Sequence, residues 1–321
     1  MYKIAIIYAG ATYESALNHI RLQELLGKIK VIGIGTQDIY AEYVDGYPVT
    51  TIENILQQEW DYLLIAGQEQ NFAQMKALLV SIGIEADRIF SIMVFSLPMF
   101  DMEEYVQFVN KKVSIISNHC WGGFTYHSLK AEFLSPFINM FIPQADYIRL
   151  LESFDAYMNE KVKYYKNEYE SNLKREYPVA LLGDIELHFN HYKSFEEAEQ
   201  KWYERKQRMN EERLFVEMQT DSEELAERFD KLPFKQKVVF VPFETKLTSA
   251  ISLKKINANY SGAFYESVNR LATGQQAFYN ILKLLNGERD FFKVVFLVIF
   301  SQKTFRHWNN IFLTFSKRGN Q

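Results

Sequence analysis

Asp184-Ile185-Glu186-Leu187-His188 sets two carboxylates and an imidazole at alternate positions. Alternate side chains of a strand emerge on one face, so Asp184, Glu186 and His188 would stand together. A carboxylate beside an imidazole favours its charged form and can leave an acid or base poised near neutral pH. The same groups can hydrogen-bond sugar hydroxyls. A metal would use these residue types too, but His188 and His191 are three apart, a helical spacing, and no CxxC or HExxH pattern accompanies them. No metal is expected. The plain alternative is an edge strand with a solvated polar face.

A second group is Asn118-His119-Cys120-Trp121-Gly122-Gly123, followed by His127. It holds the only cysteine and follows the apolar run Val113-Ser114-Ile115-Ile116, which places it at the end of a strand. A thiol near a helix N-terminus can be acidified, and His127 is a better base for it than the adjacent His119. Gly122 and Gly123 would let backbone N–H groups approach an anion. Lone cysteines are nevertheless usually buried and inert. The expectation is a ligand-contacting turn in which Cys120 is not the nucleophile.

Arg205 and Arg208 share a helical face and could clamp the phosphates of a donor, unless Glu204, Glu211 and Glu212 pair with them. Gly10 stands at the turn after the first strand, where α/β sheets bind ligands. A dinucleotide fingerprint needs two more glycines, and Thr12 and Ser15 stand there instead, so neither NAD nor FAD is expected.

The elements that would carry these groups alternate. Ile4–Tyr8 is a continuous apolar run, as in a strand buried on both faces, and a helix follows over 13–26. Strands at 31–34, 62–66 and 88–93 alternate with helices at 52–58 and 70–82. The pattern restarts at Val113, with strands at 178–184, 214–218 and 237–241 and a long helix over 263–285. The spacing predicts an α/β protein of two tandem Rossmann-like domains with mainly parallel sheets. Residues 1–100 form the first, a degenerate one, 108–290 the second, and 291–321 a C-terminal segment. In that segment Phe305, Trp308, Ile311, Phe312 and Phe315 recur at helical spacing, a stripe that closes a core or a homo-oligomer seam more often than it lies on a membrane.

Of 321 residues, 48% are apolar and 24% charged, a globular composition, and the net charge of -4 argues against nucleic acid as partner. A single cysteine suits a reducing cytoplasm. The start, MYKIAIIYAG, lacks the features of a signal peptide, and the run Val294–Phe300 is too short for a transmembrane segment.

The strand–glycine start, "DGYPV" and "WDYLLIAG" resemble the small Rossmann-like domains attached to sugar-modifying enzymes of bacterial surface-polysaccharide pathways. Over about residues 108–290, "SIISNHCWGGFTYHSL", "LLGDIELHFNHYKSFEEAEQKWYERKQRMN" and "FDKLPFKQKVVF" resemble, in order, an uncharacterised bacterial family commonly labelled exopolysaccharide-biosynthesis proteins. The resemblance implies a role in surface polysaccharide synthesis but assigns no catalytic residue. The resulting expectation is a cytoplasmic transferase using a nucleotide sugar or related donor, with a non-catalytic sugar-nucleotide-binding adaptor as its rival.

Overall fold

The computed structural model describes residues 1–8, 12–171, 174–253, 263–276 and 279–288. Gly10 and the aromatic stripe from Phe305 to Phe315 lie outside them. The chain is a mixed α/β protein whose sheets are mostly parallel, with one antiparallel sheet. It divides into two compact units, one of residues 1–111 and 128–131, the other of 112–127 and 132–321.

The first unit carries β1 (Tyr2–Tyr8), α1 (Tyr13–Leu25), β2 (Ile29–Thr36), β3 (Tyr43–Val44), β4 (Tyr47–Thr51), α2 (Ile52–Leu56), β5 (Tyr62–Ala66), α3 (Glu69–Ser81), β6 (Ile89–Ser91) and α4 (Met102–Lys111). Its sheet runs β3-β4-β2-β1-β5-β6, parallel except for the β3–β4 hairpin. Ile4, Ala5, Ile6 and Ile7 are fully buried, because β1 lies inside the sheet with both faces covered.

The second unit carries β7 (Ser114–Ser117), α5 (Trp121–Ser128), α6 (Gln144–Glu152), α7 (Phe154–Met158), β8 (Val162–Glu170), β9 (Arg175–Leu182), β10 (Ile185–His188), α8 (Phe195–Lys206), β11 (Leu214–Gln219), α9 (Glu223–Asp230), β12 (Gln236–Val241), β13 (Ala250–Ser252), α10 (Ala263–Ala272) and α11 (Ile281–Asn286). β13-β12-β11-β7 form a parallel sheet. β10-β9-β8 form a separate antiparallel one, where mainly parallel pairing was expected. The reason is local. Gly183, at φ +64°, and Asp184 make a two-residue turn, which can only return the chain antiparallel; a parallel return needs a crossover. The single helix expected over 263–285 is two, separated beyond Gly274, whose φ of +63° no right-handed helix admits.

One hydrophobic core joins the sheets of this unit. Val216, Met218, Val239 and Val241 from the parallel sheet meet Ala180, Leu182, Ile185 and Leu187 from the antiparallel one, with Tyr147, Trp202 and Phe229 from the helices. One face of the antiparallel sheet is thereby committed to the core. Its other face carries the polar residues of β8, β9 and β10.

A buried acid interrupts the opposite face of the parallel sheet. Glu217 of β11 is fully buried and neither carboxylate oxygen has a hydrogen-bond partner among the described residues. Burial raises its pKa well above that of an ordinary carboxyl, so it is held as the neutral acid. Between the unfolded and folded pKa values the native state binds the extra proton, so stability falls as pH rises through that window. Glu217→Gln should therefore stabilise the protein at pH 8 by more than about 1.4 kcal/mol, the worth of one pKa unit, with a smaller effect at pH 5. Urea denaturation at the two pH values measures this; a destabilisation that grows with pH would show an ionised, partnered Glu217.

Candidate functional site

The polar face of the antiparallel sheet is assembled by strand parity and register. On β10, Ile185 and Leu187 are fully buried in the core, so Glu186 and His188 take the other face. β9 pairs with β10 and β8, and the β8 register sets Glu168 directly opposite Tyr177. His188 sits among these groups and is 6% exposed. Its Nε2 is 3.1 Å from Glu186 Oε2. Its Nδ1 is 3.2 Å from the Tyr177 hydroxyl and 3.4 Å from Glu168 Oε2. The Tyr177 hydroxyl donates to Glu168 Oε2 at 3.0 Å. Lys166 completes the set, 2.7 Å from Glu168 Oε1 and 3.6 Å from Glu186 Oε2.

The imidazole is fixed on its flat side as well. Phe141 stacks on it at 4.4 Å and 20° and exchanges two backbone hydrogen bonds with His188, both 3.0 Å. The next residue, Ile142, donates its N–H to Asn118 O at 3.0 Å, and His119 stacks on Phe141 at 5.9 Å. Cys120 Sγ lies 3.5 Å from His191 Nε2. The 141–142 strap thus brings together the two stretches, 118–123 and 186–191, that the sequence singles out.

Counting protons shows what the cluster can do. With Tyr177 O–H donated to Glu168 and His188 Nε2–H donated to Glu186, Nδ1 and the Tyr177 oxygen face each other without a hydrogen between them. One added proton on Nδ1 completes every contact. Burial lowers the His188 pKa below 6.5 although Glu168 and Glu186 both push it up. The simple expectation that a carboxylate neighbour raises the imidazole is corrected by desolvation, which outweighs it. The hydrogen bond from Lys166 holds Glu168 below the ordinary carboxylate range, with Tyr177 and His188 adding to it. At neutral pH Glu168 is thus ionised beside a neutral imidazole whose Nδ1 is open to a proton.

Glu168, Glu186 and His188 also have the residue types of a metal centre, with ligand atoms within 4.8 Å of one another. Their geometry argues otherwise. The carboxylates lie against opposite ring nitrogens, and the Lys166 ammonium already bridges them.

The other sequence candidates fall elsewhere. Asp184 does not join the face, because it lies in the turn, where alternation does not extend; Arg149 and Tyr157 hold its carboxylate. Asn118 is fully buried, and both ends of its amide bond the Gln219 backbone, tying the end of β7 to that of β11. Trp121 is fully buried and stacks on Phe215. Gly122 lets α5 approach β7, since a Cβ there would come within 3.0 Å of Ser117 Oγ and 3.1 Å of Ile115 Cγ2. Gly123 is buried beside it in the first turn of α5. His127 is exposed in the last turn of α5, so it cannot serve Cys120. Arg205 is 7% exposed, donates to the Tyr192 hydroxyl and covers the Phe133 ring, while Arg208 pairs with Glu132. The clamp pictured from their spacing is spent on internal contacts. Sequence reasoning missed Lys166, Glu168, Tyr177 and Phe141, and considered His191 only as a metal ligand. The alternation of Lys166 and Glu168 was the one local signal for any of them.

Burial moves the Cys120 thiol up to about 11 and the His119 imidazole down to about 4. The start of α5 does not offset this. Iodoacetamide should therefore alkylate Cys120 at pH 8 well over tenfold more slowly than a free cysteine. A rate matching the free thiol would mean that the thiolate is stabilised.

The comparisons with known proteins concern the same residues. Residues 1–90 match the model described as C2185-like, N-terminal. An uncharacterised protein of Haemophilus influenzae is 38% identical over 135 residues, 41% of this chain and 62% of that protein, so the match spans less than two thirds of the relative. Residues 92–284 match the model described as Domain of unknown function (DUF1919), a span that contains the whole cluster around His188 and more than half of the chain. The chain belongs to the DUF1919 family.

Proposed function

We propose that the chain is a cytoplasmic transferase of bacterial surface-polysaccharide assembly, taking a nucleotide sugar or a related activated donor. The observation that carries the reading is the hydrogen-bonded array Glu186–His188–Tyr177–Glu168 on the half-open face of a sheet. Glu186, with a side chain 30% exposed, is the group that meets an acceptor hydroxyl. It accepts the hydroxyl proton on its carboxylate, while the hydrogen bond from His188 Nε2–H stabilises and aims that carboxylate. The acceptor oxygen then bonds to the anomeric carbon as the bond from that carbon to the donor phosphate breaks and the nucleotide leaves. His188 orients Glu186, and Phe141 fixes His188.

The first unit supports a small Rossmann-like domain. Its parallel order β4-β2-β1-β5-β6 reverses direction beside β1, where sheets of this kind bind ligands. The second reading is a non-catalytic adaptor that binds sugar nucleotides; in either reading the donor phosphates need partners other than Arg205 and Arg208, which are engaged internally.

A thermal-shift screen against nucleotide sugars, followed by turnover of each binder, separates the two readings. A ligand at 100 times its Kd should stabilise the protein by about 2.7 kcal/mol. For the enzyme, Glu186→Gln should lower kcat by about 10²–10⁴ and leave donor binding intact. Donor binding without turnover would favour the adaptor, and a Glu186→Gln variant with full kcat would remove the assigned base.

A further inference from the structure

We propose that Tyr165, with Lys166, Glu168 and Glu186 beside it, forms a subsite for a neutral pyranose ring of a glycan. The role of that glycan as acceptor rests on the transferase reading; its binding does not.

β8 is the outer strand of the antiparallel sheet, and its register slips between Tyr164 and Lys166. Tyr165 is the residue left without a partner at that slip, and it is 51% exposed. A bulge and the charged Lys163 and Lys166 are devices that keep another strand from adding to an edge. Strand addition therefore does not account for an exposed tyrosine here. Its neighbourhood does. The Lys166 ammonium lies 5.1 Å over the Tyr165 ring, 2.7 Å from Glu168 and 3.6 Å from Glu186. One side chain thus links an aromatic surface to two hydrogen-bonding carboxylates. Tyr169 is not part of the set, since it pairs with Glu176 on the opposite parity from Glu168 and Tyr177.

A pyranose matches this pairing of surfaces. Its ring C–H groups form an apolar face that packs on an aromatic ring, and its hydroxyls project from the rim. The hydroxyls donate to Glu168 and Glu186 and accept from Lys166, a balance of acceptors and donors that water or a sugar satisfies and an apolar ligand does not. The two carboxylates are balanced by Lys166 and by Lys163, which the register sets on the same face opposite Leu181, so a uronate would bring an unmatched charge against the carboxylates that receive the hydroxyls and the preferred glycan is uncharged. The same carboxylate, Glu186, that would take a hydroxyl proton is then one of the groups that hold the ring.

The test is a binding titration, by NMR or calorimetry, of the full chain against a panel of neutral and uronate-containing oligosaccharides of matched length. No donor is present. A neutral oligosaccharide should bind, its uronate counterpart at least about tenfold more weakly. Tyr165→Phe should retain binding, since the ring and not the hydroxyl is used, and Tyr165→Ala should weaken it about tenfold or more. Binding unaltered in Tyr165→Ala, equal binding of the uronate series, or no neutral glycan bound by the wild-type chain would each overturn the subsite. Glycan binding without any turnover would sink the transferase reading alone, and turnover unaffected by Tyr165→Ala would sink the subsite alone.

Discussion

The core claims one face of the antiparallel sheet, and everything proposed for the site follows from that constraint. Ile185, Leu187, Ala180 and Leu182 are bound into the same cluster as Val216 and Val239 of the parallel sheet. With period two, the alternate residues have no choice of side. Glu186, His188 and Tyr177 are forced into one plane, Glu168 is delivered by register, and Phe141 closes over the imidazole. A slip of one residue would bury the carboxylates and expose the leucines. The polar array is therefore held by apolar packing on the other side of the sheet, well away from any ligand.

Electrostatics then sets the character of the array. Two carboxylates within 3.4 Å of one imidazole would normally make it a strong base. Burial works against them and keeps His188 below its ordinary pKa. A neutral imidazole with its Nε2–H on Glu186 leaves a vacancy for one proton at Nδ1, in contact with both Tyr177 and Glu168. Proton uptake costs desolvation but gives Nδ1 an N–H to donate to the Tyr177 oxygen, beside the Glu168 charge. Cys120 shows the opposite outcome. It has a histidine 3.5 Å away and stands before a helix, yet burial alone decides its state and leaves a thiol.

How much of this was legible depended on whether the information was local. The Ile185–His188 alternation is written in four consecutive residues, and so was the pairing of Glu186 with His188. Their partners were not, because Tyr177 reaches His188 only through the β9–β10 register set at the Gly183 turn, and Glu168 reaches Tyr177 only through the pairing of β8 with β9. Asp184 fits the alternation on paper but belongs to that turn. Arg205 and Arg208 were read correctly as three apart, but their engagement by Tyr192 and Glu132 is a matter of tertiary contact. The alternation of strands and helices gave the α/β character. The antiparallel return from β9 to β10 depended on the turn chemistry of a single glycine, which the hydrophobic pattern does not carry.

The central claim is that His188 is a buried, near-neutral imidazole whose proton balance is set by the carboxylates on either side of it. Titration of its ring nitrogens by NMR, in the wild type and in Glu168→Gln and Glu186→Gln, tests this most directly. The account predicts a pKa below 6.5 in the wild type and a further fall in each variant, because each carboxylate raises it. A wild-type pKa above 6.5, or no change on removing either carboxylate, would contradict it.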